Sequence, residues 1–113
     1  MHEVGIAQEV LKIVEAKASE QGEGRVHKLR LKIGEFSGVE TEALRFALEV
    51  CSSGTRAEGM SVEIEKVPAQ AGCRDCSNTW EFALAHRECP ECGSDRIDMV
   101  AGHDLTVESF EME

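Results

Sequence analysis

The sequence predicts an α+β fold in which two helices lie on a three-stranded sheet and a small cysteine-rich lobe is inserted before the last strand. Three observations predict it. Apolar residues recur at helical spacing in two segments, and they alternate with polar ones in three others. Both cysteine pairs fall within residues 69–102, a stretch unlike the rest of the chain. The expected division is therefore 1–68 plus 103–113 for the α/β lobe and 69–102 for the cysteine lobe.

From Val4 to about Gln21, residues Ala7, Val10, Leu11, Val14 and Ala18 form a helical stripe that Ile6 and Ile13 widen. Gly22 and Gly24 then stop the helix. Leu29, Leu31 and Ile33 alternate with Lys28, Arg30 and Lys32, the pattern of a strand with one buried face. A turn follows over Gly34 to Gly38. Thr41 is the expected N-cap of the second helix, with Glu42 in its first turn. Leu44, Ala47, Leu48 and Cys51 line one face of that helix, which places Cys51 in the core as a buried thiol.

Met60, Val62 and Ile64 point one way from the next strand, and Glu63 and Glu65 the other. Pro68 closes this block. The cysteine stretch holds two short alternating runs, Trp80-Phe82-Leu84 and Ile97-Met99. The tail from Leu105 to Met112 reads as the third strand of the main sheet, with a shift of register between Val107 and Phe110 that implies a bulge.

The chain carries a formal charge of −10 at pH 7, and four thiolates around a divalent ion would deepen it. Such a surface repels phosphate backbones and anionic headgroups, so nucleic acid and membranes are poor partners. A cation or a protein with a basic face suits it better. No apolar run reaches the roughly 20 residues a membrane span needs. The start, Met-His-Glu, lacks the features of a signal peptide, so a cytoplasmic location is expected.

The cysteine spacing is Cys73-Arg-Asp-Cys76, twelve residues, then Cys89-Pro-Glu-Cys92-Gly93. Each C-x-x-C turn aims two sulfurs at one point, and two facing turns make a tetrahedral thiolate site of the zinc-ribbon type. Gly93 gives the second turn backbone freedom, and Arg74 and Arg87 flank the thiolates and offset their charge. Disulfides do not suit a chain without an export signal, and a redox dithiol would use one pair, not two. Iron of the rubredoxin type uses similar turns and stays open as a reading. With every position filled by protein, the ion is structural. A lobe this small depends on it for folding.

The first residues form a second candidate site. The Met1 α-amine, the His2 amide nitrogen and the His2 imidazole can chelate one ion in small rings, a nitrogen-rich set that suits nickel(II) or copper(II). Glu3 can ligate or orient from beside it. Glu35 and Glu40 are carboxylates that could approach if the first strand lies beside the helix. His27 and His103 read as structural or exposed; His86, between the cysteine pairs, could swing toward either metal but reads first as a surface histidine, and no nucleophile–base pair or phosphate loop suggests an enzyme.

Met1-His2-Glu3, the stretch Lys32-Ile33-Gly34-Glu35-Phe36-Ser37-Gly38-Val39-Glu40 and the two C-x-x-C pairs closely resemble the HypA/HybF family of hydrogenase maturation factors. The resemblance implies a nickel metallochaperone in which the α/β lobe is the nickel-binding lobe. It implies one weakly bound Ni2+ at the N-terminus, with His2 as the essential ligand, Met1 and Glu3 completing or supporting the site, and Glu40 at an acidic position near the nickel. It also implies a structural Zn2+ at the four cysteines and a HypB-type GTPase partner. By the same resemblance the nickel is expected to go to the hydrogenase large subunit, and in some members to urease with its accessory proteins. Two rival readings are a zinc-ribbon interaction module with no nickel role and a small iron-thiolate electron carrier.

Overall fold

The structure is a computed structural model and describes residues 2–113. Its elements are α1 (Glu3–Gln21), β1 (Val26–Gly34), α2 (Thr41–Ser52), β2 (Ser61–Val67), β3 (Gln70–Cys73), β4 (Thr79–Glu81), β5 (Ile97–Ala101) and β6 (Leu105–Met112). The strands form two three-stranded sheets, ordered β2-β1-β6 and β4-β3-β5. The expected α+β class holds, with the C-terminal strand closing the main sheet beside β1. By internal contacts the chain divides into two compact units. One is Met1–Leu31, Val39–Glu65 and Thr106–Glu113; the other is Lys32–Gly38 and Lys66–Leu105.

In the first unit, α1 packs against α2. Helix α1 buries Ala7, Val10, Val14 and Ala18, one apolar stripe at helical spacing. This stripe is narrower than the sequence suggests. Leu11 is half-buried and Ile13 is 47% exposed, because the turn-by-turn drift of the helix carries both off the packed side. Gly22, at φ 124°, ends α1 with its N–H on Ala18 O at 3.1 Å.

Helix α2 buries Leu44, Ala47, Leu48 and Ser52. Its buried row runs 44–48–52, so Cys51 lies about 100° around the helix from Ser52 and is half-buried, not the enclosed core thiol expected. Ser52 tolerates burial because its hydroxyl donates to Glu49 O at 3.2 Å.

Strand β1 is the centre of the main sheet. Leu29, Leu31 and Ile33 on one face are fully buried. On its other face Lys28 and Arg30 pair with Glu63 of β2 at 2.8 and 3.1 Å, and Arg30 reaches Glu111 of β6 at 3.0 Å. One cationic pair on the middle strand thus engages carboxylates on both neighbours. Strand β2 alternates as expected but is only half-buried. In β6 the alternation ends at Ser109, from which four residues in a row are half-buried.

The second unit has a much smaller core, Ala69, Ala71 and Phe82, with Trp80, Ile97 and Met99 packed against it. Phe36 adds an edge-to-face contact with Phe82 at 5.7 Å. The Gly34–Phe36 corner is stitched by three backbone bonds of 2.8 Å: Gly34 N–H to Asp104 O, Glu35 N–H to Val67 O and Phe36 N–H to Gly102 O. A Cβ on Gly34 would lie 2.2 Å from Gly102 C, so only glycine fits there.

Strand β3, which the sequence does not announce, is the middle of the second sheet. Ala71 sits opposite Trp80 of β4 and Met99 of β5. The Trp80-Phe82-Leu84 run does not continue as a strand: β4 ends at Glu81 and Leu84 is 70% exposed.

Candidate metal sites

Cys73 ends β3, and Cys76, Cys89 and Cys92 lie in the loops of the second unit. One Sγ from each cysteine falls within 4.8 Å of all the others. The Cys73–Cys92 and Cys76–Cys89 sulfurs are 3.6 Å apart. A tetrahedral ion with metal–sulfur bonds of about 2.3 Å needs sulfur separations of about 3.8 Å. The four residues therefore fit a closed metal site, as the spacing predicts.

Two like turns build this cluster. In the first, Cys73 N–H donates to Asn78 O at 2.8 Å, Ser77 N–H to Cys73 O at 3.0 Å, and Asp75 N–H to Cys73 Sγ at 3.3 Å. In the second, Cys89 N–H donates to Ser94 O at 2.8 Å, Gly93 N–H to Cys89 O at 2.8 Å, and Glu91 N–H to Cys89 Sγ at 3.4 Å. The residue after each pair takes positive φ, 65° at Ser77 and 76° at Gly93. The sequence showed that need only in the second turn, where glycine meets it.

These N–H groups are electrostatics as well as geometry. Burial, the largest influence on Cys89, disfavours its thiolate, yet the N–H groups of Cys92 and Glu91 and the neighbouring thiols bring it down to about 6. Cys73 is lowered in the same way against burial. For Cys76 the Asn78 N–H favours the thiolate, but burial and the bonds from Cys89, Cys92 and Cys73 push it up to about 12. Without a metal the cluster thus keeps some of its protons, and a bound cation would displace them.

The arginines do less for the sulfurs than expected. Arg74 makes a bidentate pair with Asp98, with contacts between 2.7 and 3.1 Å. Arg96 pairs with Asp75 at 3.2 Å, and Arg87 is exposed. Much of the cationic charge near the turns is met by aspartates, so backbone N–H groups carry the offset.

In the first unit, His2 is the N-cap residue of α1, exposed, with φ −99° and ψ 13°. Its carbonyl accepts Ile6 N–H at 3.0 Å, while its imidazole makes no capping bond. The Met1 assignment lies outside the described residues. Glu3 opens α1, and its Oε2 accepts the Glu40 N–H at 3.1 Å. That bond is the chief cause holding the Glu3 carboxyl at about 2, well below its ordinary 4.5.

Glu40 is the N-cap of α2, in place of Thr41, and its Oε1 accepts Ala43 N–H at 3.0 Å. Glutamate is an uncommon cap, so the pattern Glu-Thr-Glu pointed one residue too far along. The structure thus brings Glu3 and Glu40 together. Glu35 is engaged elsewhere, its Oε1 accepting Ala69 N–H at 2.9 Å. Glu3 also lines an apolar groove with Val4, Ala43, Phe46, Ala47 and Val50. Val4, Phe46 and Val50 are each more than half exposed, a feature the sequence reading missed. Ala43, Phe46, Ala47 and Val50 at helical spacing were the available signal.

Of the other histidines, His86 shares a surface cavity with Cys89, Pro90 and Gly93 of the second turn, while His27 and His103 lie against carboxylates. His27 Nε2 is 3.9 Å from Glu111, and His103 Nε2 is 3.7 Å from Asp104. His86 is exposed in a turn, where its N–H meets Ala83 O at 2.9 Å. No helix among the described residues is long and apolar enough to cross a membrane.

Comparison with known proteins agrees with this architecture. A family model described as hydrogenase/urease nickel incorporation, metallochaperone, hypA matches residues 1–112. The hydrogenase maturation factor HypA of Acidithiobacillus ferrooxidans is 40% identical over 113 residues, covering all of both chains. The hydrogenase maturation factor HybF of Salmonella typhimurium is 38% identical over 113 residues, again with full coverage of both. Two solution structures share the fold at 22% identity. The Ni metallochaperone HypA from Helicobacter pylori has a TM-score of 0.73 and covers 99% of this chain and 97% of its own. A second HypA protein has a TM-score of 0.79 and covers 100% and 97%. This chain therefore belongs to the HypA family of hydrogenase maturation factors, nickel metallochaperones and not enzymes.

Proposed function

We propose that this protein carries one nickel(II) ion at its N-terminus, through the Met1 amine and His2 with Glu3 beside them, and passes it on for maturation of nickel-iron hydrogenase. Family membership supplies the cargo. The observation that carries the location is His2: exposed at the first turn of α1, its imidazole has no capping duty. An amine, an amide and an imidazole on adjacent residues make the nitrogen-rich set nickel(II) favours. An open site of few ligands also suits a carrier that must release its ion.

The four cysteines hold zinc as a structural ion in this reading. When bound, zinc supplies a cross-link that a core of a few residues cannot provide. The partners are a HypB-type GTPase and the hydrogenase large subunit, with urease accessory proteins as further recipients, and the location is cytoplasmic. The −10 charge and the exposed apolar Val4, Phe46 and Val50 support a protein partner over a nucleic acid.

Titration calorimetry with nickel(II) tests the location. One glycine added before Met1 moves the amine out of chelating distance, so binding is lost while the cysteine-bound metal stays. Equal nickel affinity in native and extended proteins would remove the amine from the ligand set. Elemental analysis and the visible spectrum identify the second ion, since iron thiolates are strongly coloured and zinc thiolates are not.

A further inference from the structure

We propose that Asn78 and Ser94 hold the two cysteine turns against twisting, and so keep the cysteine site tetrahedral and closed to the nickel(II) cargo. The inference rests on the zinc and nickel readings above and gives two side chains outside the ligand set a role in metal specificity.

The two residues hold equivalent places, each second after the last cysteine of its turn. Each carbonyl accepts the N–H of the first cysteine of its own turn at 2.8 Å, Asn78 from Cys73 and Ser94 from Cys89. Each N–H favours the thiolate of the second cysteine, Cys76 or Cys92. Their side chains instead cross to the other turn. Asn78 Nδ2 donates to Cys89 Sγ at 3.8 Å, and Ser94 Oγ donates to Asp75 Oδ2. Arg96 steadies the second link, pairing with Asp75 at 3.2 Å while its N–H donates to Ser94 Oγ at 3.0 Å. Asn78 and Ser94 are both half-buried, so these bonds are partly shielded from water.

The clasp matters because the protein handles two ions of different preference. In a tetrahedral set the Cys73–Cys76 and Cys89–Cys92 pairs stand crosswise about the ion, an arrangement zinc accepts. Nickel(II) favours a square-planar set, in which both pairs share one plane. To reach it, one turn must rotate by about 90° against the other. The backbone bond from Arg74 N–H to Arg96 O, at 2.8 Å, tethers the turns without fixing that angle. The two side-chain links do fix it, and both break in the rotation. Four thiolates outnumber the ligands of the open N-terminal site, so a cysteine site free to flatten would trap the cargo.

Metal competition on the full-length protein tests the proposal, in a His2→Ala background so that nickel is counted at the cysteines. Cobalt(II), which accepts the tetrahedral set, is the reference ion, and each ion is read from its sulfur-to-metal charge-transfer absorption. Loss of both cross-turn bonds corresponds to about tenfold. The nickel-to-cobalt preference should therefore rise about tenfold in Asn78→Ala/Ser94→Ala and about threefold in each single variant. Ser94→Thr keeps the hydroxyl and should keep the wild-type preference. A merely stabilising role would weaken both ions alike, so an unchanged ratio overturns the proposal. An equal rise in Ser94→Thr and Ser94→Ala overturns it too. Where the double variant holds no metal, the ratio in the single variants decides. Undiminished nickel binding in His2→Ala without thiolate absorption would sink the N-terminal reading, while the ratio at the cysteines is read independently of it.

Discussion

In the second unit four sulfurs converge within 4.8 Å, each pair set by a turn whose N–H groups point back at its sulfurs. In the first unit the exposed His2 stands beside a carboxylate anchored by one N–H at 3.1 Å. The first arrangement leaves an ion no open position; the second, the place proposed for nickel, is an open surface. The contrast extends to the units themselves. Of the largest fully buried side chains, Leu29, Leu31, Leu44, Leu48, Val14 and Val26 all belong to the first unit, and only Ile33 to the second. One unit is held by an apolar core, which would let it keep the loose cargo site proposed above. The other has little core, and its closed cysteine site takes over that role.

Removing the cysteine-bound metal is the strongest way to break this comparison. A strong chelator, or Cys89→Ala, should unfold the second unit, because binding of such an ion contributes on the order of 10 kcal/mol to a small metal-dependent fold. Trp80, packed on the small core of that unit, reports the change by fluorescence. The helical circular dichroism of α1 and α2 should persist. A second unit that stays ordered without metal would erase the distinction.

The reverse test cuts the apolar core. Leu48 is fully buried on α2, and Leu48→Ala should cost about 2–5 kcal/mol in urea unfolding followed by helical circular dichroism. Metal content at the cysteines should stay at one ion per chain. Loss of that ion together with the helices would show that the two units do not melt separately.

These contrasts were unevenly legible in the sequence. Periodicity announced α1, β1 and α2 because each has a long apolar face, and the C-x-x-C spacing announced the cysteine cluster outright. Strand β3 was silent. Gln70-Ala-Gly-Cys73 is four residues with no large apolar side chain, and it becomes a strand only because β4 and β5 pair with it on both sides. The Glu40 cap was hidden by Thr41, a better cap on intrinsic preference, and the placement of Glu3 overrides that preference. Cys51 was misread because one position on a helix is worth about 100°, enough to turn a core thiol into a rim one. The approach of Glu3 to Glu40 spans 37 residues, a distance that local patterns do not encode.

The smallest expected effect separates the two turns of the cysteine site from each other. Their hydrogen bonds match, but the left-handed position is Ser77 in one and Gly93 in the other, with φ 65° and 76°. A side chain in this conformation costs about 1–2 kcal/mol. No atom lies within 4 Å of where a Cβ on Gly93 would be, so Gly93→Ala meets no clash and measures that backbone cost alone. It should weaken the site by about 1–2 kcal/mol in competition with a chelator. Ser77→Gly relieves the same strain but frees the unfolded chain, which takes back roughly 0.5–1 kcal/mol. Its net gain should therefore be under about 1 kcal/mol, read as slightly tighter metal retention. If Gly93→Ala is neutral, the turn does not keep positive φ when it holds its ion, and the likeness of the two turns ends at their sequence spacing.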